Sequence, residues 1–215
     1  ETMQVKPHPL VLLEMFKNSL SKLLQQHGKP LQVNTNIKML VSDNITEHFG
    51  ELPNLTIKTN VDSPGKGQSD LIIPELRLAD EEGSLNWQGL SGQLRFPEKF
   101  DTLSMALKAG ALTFAEAGKS SLSIRPITLN GVLDADLLPT QGDVSLPALK
   151  IVERKDEVNV KEVSLNFKTD QTDSGLQLGN GSFKIGQIEV MAEGSSKVML
   201  KGLELVSGGK EQDSL

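Results

Sequence analysis

The sequence predicts a mainly β fold: a long, bent antiparallel meander with repeated bulged strands, trough-like in outline, and an N-terminal helix packed on the sheet. Three observations carry this prediction. Val144, Leu146, Leu149 and Ile151 fall at i, i+2, i+5 and i+7, two pairs in strand alternation separated by one residue too many. The same spacing returns at Leu71, Ile73, Leu76, Leu78, at Leu122, Ile124, Ile127, Leu129 and at Val158, Val160, Val163, Leu165, then at Phe183, Ile185, Ile188, Val190 and at Val198, Leu200, Leu203, Leu205. Successive units from Leu122 onward start 22, 14, 25 and 15 residues apart. Alternating short and long steps suit hairpins at the two ends of a meander, whereas a solenoid keeps a near-constant period. Finally, only one long stretch has helical periodicity.

That stretch is Leu10 to His27, where Leu13, Phe16, Leu20 and Leu23 form a stripe at three- and four-residue spacing. Pro9 suits the first turn and Gly28 the C-terminal cap, so residues 1–30 are read as a helix packing on the sheet. Leu31 to Met39 alternates as a half-buried strand. Asp43 to Leu52 reads as a short helical excursion capped near Ser42 to Asn44. Leu55 to Val61 alternates again, and Asp62 to Gly67 is a turn. A looser unit runs through Leu85, Trp87, Leu90, Leu94 and Phe96. After a turn at Pro97 to Asp101, Leu103, Met105 and Leu107 alternate until Gly110 shifts the phase before Leu112 and Phe114. The unit at Leu122 continues through Leu133, Ala135 and Leu137 to a turn predicted at Pro139 to Gly142. Residues 31–208 are thus one antiparallel β domain, and residues 209–215 a frayed tail.

In a regular strand, residues i and i+5 face opposite sides. For all four apolar residues to reach one core, each strand must absorb an extra residue. A bulge with two residues opposing one neighbour would do so, and a strand crossing between sheets at a corner is the alternative. The middle dipeptides fit: Pro74-Glu75, Arg125-Pro126, Pro147-Ala148, Lys161-Glu162, Gly186-Gln187 and Lys201-Gly202. Proline is tolerated in sheets mainly at edges and bulges. Fully burying four apolar side chains would contribute roughly 6–12 kcal/mol per unit as an upper bound.

Composition narrows the function classes. The chain has 215 residues, a formal net charge of −6 and no dense Lys/Arg run to track a phosphate backbone, which argues against a nucleic-acid partner. Aromatic residues make up 4%, with no tyrosine and one tryptophan, Trp87, so stacking platforms are scarce. There is no cysteine, hence no thiol nucleophile and no thiolate metal site. The longest apolar run, Leu10 to Leu13, is far short of the ~20 residues of a membrane helix. The chain begins at Glu1, which leads us to expect a leading signal or anchor outside it.

Several segments resemble the YdgA/YihF family of bacterial envelope proteins. They are the entry Lys6-Pro-His-Pro-Leu10, the excursion Asp43-Asn-Ile-Thr-Glu-His-Phe49, the strands from Leu85 to Phe96, and the ending Gly179-Asn-Gly-Ser-Phe-Lys-Ile-Gly-Gln-Ile-Glu-Val190 with Lys197 to Gly208. The resemblance spans most of the chain in order. It implies a β-rich periplasmic portion of uncharacterised function, tied to the inner membrane by an N-terminal anchor outside this chain, and no catalytic residue to carry over. In strand style the chain also resembles, more weakly, the AsmA-like envelope proteins, whose β-troughs are associated with lipid movement.

The search for chemistry is short. His8, His27 and His48 show no metal-ligand spacing. Asp134 and Asp136 would share a strand face as paired acids might, but they interleave with Leu133, Ala135 and Leu137 as a solvated face does. Asp80-Glu-Glu82 and Asp170 to Asp173 lie in predicted turns without a calcium-loop pattern. Gly89-Leu-Ser91-Gly92 lacks the strand-turn-helix setting of a nucleophile elbow. The expectation is therefore a non-enzymatic periplasmic domain with no cofactor, acting by binding or scaffolding toward an envelope protein or a lipid. The alternative is a carrier of lipid or other apolar ligands on the concave face. The off-phase apolar residues Ile72, Val152, Met191 and Met199 are the candidate ligand contacts, because they make the second face less than uniformly polar.

Overall fold

The computed structural model describes residues 30–37, 53–62, 65–171, 177–193 and 196–209. Alternating side chains and Gly-, Pro- and Asp-bearing breaks divide them into fourteen strand segments. These are β1 (Leu31–Ile37), β2 (Leu55–Val61), β3 (Gly67–Ile73), β4 (Leu76–Ala79), β5 (Gly83–Trp87), β6 (Leu90–Phe96) and β7 (Thr102–Ala109). They continue as β8 (Leu112–Glu116), β9 (Ser120–Ile124), β10 (Ile127–Asp134), β11 (Pro139–Glu153), β12 (Asp156–Gln171), β13 (Gln177–Ala192) and β14 (Ser196–Gly208). All belong to one sheet, and every pairing is antiparallel.

The strand order looks branched only because four long strands are each interrupted once. β3 and β4, β5 and β6, β7 and β8, and β9 and β10 are consecutive halves separated by two residues. β3 pairs β6 while β4 pairs β5, and the register continues across the gap, from Ile73↔Leu90 to Leu76↔Trp87. The same holds from Leu90↔Ala109 to Trp87↔Leu112 and from Ala109↔Ile127 to Leu112↔Ile124. β11 then receives both halves of the preceding strand, β10 against its first part and β9 against its second. With each pair of halves joined, the strands follow one another in chain order: a meander, as the alternating unit steps predict.

The interruptions align into a crease across the sheet. Pro74-Glu75 lies opposite Gln88-Gly89, which lies opposite Gly110-Ala111, Arg125-Pro126 and then Pro147-Ala148. Beyond β11 the unpaired residues are single: Pro147 opposite Glu162, Glu162 opposite Gly186, Gly186 opposite Gly202. Some backbone hydrogen bonds bridge the crease, with Gln88 N donating to Ala111 O at 2.9 Å and Arg125 N to Ala148 O at 2.9 Å. This corrects the expectation of two-against-one bulges. Each neighbour carries its own matching extra residue, so the register is preserved and only the phase of side-chain alternation is reset. Left-handed backbone achieves the reset at Gly89 (φ 79°), Glu162 (φ 56°) and Gly202 (φ 68°). At Gly89 a Cβ would come within 2.3 Å of the Ile73 carbonyl, so only glycine fits.

Because the reset is shared, both halves turn the same side chains inward. Leu71, Ile73, Leu76 and Leu78 are half-buried, whereas Ile72, Pro74, Glu75 and Arg77 are exposed. The buried core lies toward one end of the sheet: Ile57 and the cluster Val61, Leu94, Phe96, Leu103 and Leu133, with Leu31, Val33, Leu71, Phe100, Met105 and Leu137 packed against that cluster. Phe96 stacks on Phe100 with ring centroids 4.4 Å apart. Thr59 and Ser69, also buried, satisfy each other through a 2.8 Å hydroxyl hydrogen bond. Elsewhere burial is partial. Ile151 is 43% and Leu165 41% exposed, so the repeated units do not reach full-burial stabilisation.

Two expectations about element boundaries change. The strand predicted to continue through Ala135 and Leu137 ends at Asp134, and residues 135–138 make the turn. The predicted turn at Pro139 to Gly142 is instead the start of β11. The Asp134 carboxylate explains this, since its Oδ1 accepts hydrogen bonds from the backbone N–H of Asp136 and of Leu138, each at 2.9 Å. An Asx-type bond of this kind competes with strand continuation. The helices predicted at Leu10 to His27 and Asp43 to Leu52 lie outside the described residues, as do His8, His27 and His48.

Candidate binding face

Cross-strand register determines what each face presents, because directly opposed residues point to the same side. On one face the rows from Gly67, Phe96 and Leu103 to Leu85, Phe114 and Leu122 are predominantly apolar or small, and the last row, with Glu116, Glu153 and Asp156, is charged. Ile73, Leu90, Ala109 and Ile127 stand side by side before the crease, and Trp87, Leu112, Ile124, Leu149, Val160, Ile188 and Leu200 after it. Another row joins Leu129, Val144, Leu165, Phe183 and Leu205. Glycines stand where a neighbour is large. Phe167 leans over Gly142, whose Cβ would lie 2.6 Å from Cε1, and Phe96 leans over Gly67 in the same way.

Among the described residues this face is closed at the core end and half-buried to exposed elsewhere. Exposure rises toward β14, where Val198, Leu200, Leu203 and Leu205 are 51–66% exposed. Phe114, Ile151 and Val190 extend the exposed surface into the part of the sheet beyond the crease, and Leu165 extends it on the near side. Scattered apolar residues on a surface need no explanation, but a contiguous patch aligned over many strands marks a site for apolar contact.

The opposite face is polar and internally paired. Gln93 donates to Asp70 at 3.1 Å, Asn130 to Asp143 at 2.9 Å and Asn166 to Ser182 at 2.9 Å, each between directly opposed residues. Lys184 pairs with Glu204 at 2.9 Å, Lys150 with Glu157 at 2.8 Å, and Lys197 with Glu189. The hydrogen bond from Lys150, with a second from Asn159, holds the Glu157 carboxyl below its ordinary range, and Lys197 does the same for Glu189. These are surface ion pairs between exposed lysines and exposed or half-buried carboxylates, and neither Glu157 nor Glu189 has the raised value of a general acid.

The sequence-predicted contacts fall on this polar face. Ile72 is 46% exposed and lies between Thr56 and Ser91. Val152 and Met191 both stand in the row of Glu157, one on each side of it, and Met199 lies opposite Glu189. The structure therefore brings Val152 and Met191 near one another with a carboxylate between them, and leaves Ile72 in the other half of the sheet. The larger apolar surface is formed by the in-phase residues, which spacing alone identified as core. Only their exposure, not their pattern, sets them apart. Asp134 and Asp136 do not form a pair of strand-borne acids: one caps the turn and the other is exposed within it. Among the described residues no group of three His, Cys, Asp or Glu side chains is arranged to hold a metal ion.

A family model described as "Bacterial protein of unknown function (DUF945)" matches residues 30–137 and 127–215. No curated protein and no solved structure matches the chain.

Proposed function

For a chain that belongs to this bacterial DUF945 family, we propose a non-enzymatic binding role in the cell envelope, in which the apolar sheet face takes up the acyl chains of lipids. One observation carries the reading. The apolar register runs unbroken through the crease to β14, and among the described residues the part beyond the core is half-buried, becoming exposed at Phe114, Ile151, Leu165, Val190 and along β14. Burial of hydrocarbon against such a surface gains about 25 cal/mol per Å² and requires no directional partner. The polar face, closed on itself by opposed pairs, supplies no competing ligand chemistry. The creased strands would form a trough, and the amphipathic stretch Leu10 to His27 would pack at its rim. The segments that resemble the YdgA/YihF family support a periplasmic location, with an inner-membrane anchor outside this chain.

Trp87 provides the test, because it stands on the apolar face between Leu76 and Leu112 and is the one tryptophan in the chain. Phosphatidylethanolamine with brominated acyl chains should quench its fluorescence. Phe114→Glu should weaken the quenching, and Ile72→Glu, on the polar face, should leave it unchanged. Absence of quenching, or equal loss in both variants, would overturn the proposal.

A further inference from the structure

The outer edge of β14 is the longest unpaired strand edge among the described residues: 13 residues that pair with β13 alone. It contains no proline, and Val198, Leu200, Leu203, Leu205 and Val206 are each more than half exposed. Unpaired N–H and C=O groups along such an edge form a ready template for another strand.

The crease limits which strand can fit. From β3 to β14, each neighbour places its crease residues opposite those of the next strand, with apolar pairs opposed on both sides. A partner of β14 must therefore carry two apolar pairs in strand alternation, separated by two residues. β14 itself has this pattern: Val198, Leu200, then Lys201-Gly202, then Leu203, Leu205.

We propose that β14 pairs antiparallel with β14 of a second copy of this chain, about a two-fold axis at the crease, extending the sheet and its apolar face across the dimer. Val198 then opposes the second copy's Leu205, and Leu200 opposes its Leu203, so that Lys201-Gly202 meets Gly202-Lys201. In an uninterrupted strand this register would be forbidden, because residues three apart point to opposite faces. The phase reset at Gly202 (φ 68°) is what permits Leu200 and Leu203 to share one. On the polar face Met199 opposes Glu204 and Lys197 opposes Val206, with no like charges opposed. Lys201 lies diagonal to Glu204 of the other copy, within reach of a long side chain. Main-chain hydrogen bonds would supply affinity and the apolar pairs specificity. The inference rests on the strand edge and does not depend on lipid binding.

The chain contains no cysteine, so engineered thiols report cleanly. Leu200→Cys and Leu203→Cys are made singly on exposed positions that the fold tolerates. An equimolar mixture should oxidise to a disulfide-linked dimer several-fold faster than either variant alone, because residue 200 opposes residue 203 and neither opposes itself. Sedimentation of the unmodified protein should show a dimer, and Leu200→Asp with Leu203→Asp should return it to monomer with an unchanged circular dichroism spectrum. A monomeric wild type, a dimer that survives the double substitution, or equal cross-linking in mixed and unmixed samples would each overturn the proposal. The first of these would leave the edge to a strand of another protein.

Discussion

Replacing Gly67 by alanine tests the packing of the core end directly. The added methyl would lie 2.4 Å from Cζ and 2.5 Å from Cε2 of Phe96, and 2.8 Å from the Asn60 carbonyl. Phe96 has little room to retreat. It is 2% exposed, stacked on Phe100, and clustered with Val61, Leu94, Leu103 and Leu133. Overpacking of this kind costs about 1–3 kcal/mol. For a chain of this length each kcal/mol lowers the melting temperature by roughly 2–4 °C, so the expected fall is about 2–12 °C. Thermal and urea unfolding, followed by circular dichroism and by Trp87 fluorescence, measure it. Phe96→Leu removes the ring atoms that collide, so Gly67→Ala should cost less in that background than in the wild type, although the Asn60 carbonyl remains. The coupling should be about 0.5–3 kcal/mol in the rescuing direction. A Gly67→Ala variant within about 0.5 kcal/mol of wild type, or strictly additive costs, would refute the close packing of Phe96 over Gly67.

Other positions give further expectations. Glu162 holds a left-handed backbone at the crease, so Glu162→Gly should raise stability by about 0.5–1 kcal/mol, read as a higher urea midpoint, while Glu162→Val should lower it. Asp134→Ala removes two hydrogen bonds that cap the 135–138 turn and should cost about 1–2 kcal/mol, whereas Asp134→Asn keeps an acceptor and should cost less. Glu157 and Glu189 have folded pKa values held below the ordinary carboxylate range, first by hydrogen bonds from Lys150 and Lys197 respectively. Their stabilisation is complete above the unfolded value and is lost as pH falls through the depressed folded one. Acid titration of the urea midpoint should show this loss, and the double variant Glu157→Gln, Glu189→Gln should flatten it.

Six dipeptides singled out by spacing all fall on the crease, from Pro74-Glu75 to Lys201-Gly202. They were legible because interrupted alternation is a one-dimensional property, visible as apolar residues arriving one position late. Whether the neighbour carries a matching residue is two-dimensional, and this is why the spacing was read as a bulge. Ile72, Val152, Met191 and Met199 were singled out because they break the alternation, yet register sets them among Thr56, Ser91, Glu157 and Glu189 on the paired polar face. Exposure of Leu165, Val190 and Leu200 could not be read from a pattern they share with Leu94 and Leu133, which are buried.

By itself the sequence determined the class of fold, the order of strands in a meander, the position of each interruption and the division of residues between an apolar and a polar face. These follow from side-chain periodicity and turn chemistry, both of which are local. Tertiary structure decided that the interruptions face one another and keep the register, that Asp134 ends its strand by capping a turn, and that the buried cluster among the described residues closes around Phe96. Those outcomes depend on which strands lie side by side. Of the same four-residue apolar spelling, Phe183, Ile185 and Ile188 are half-buried in β13, between two neighbours, whereas all four residues are exposed in β14, which has one.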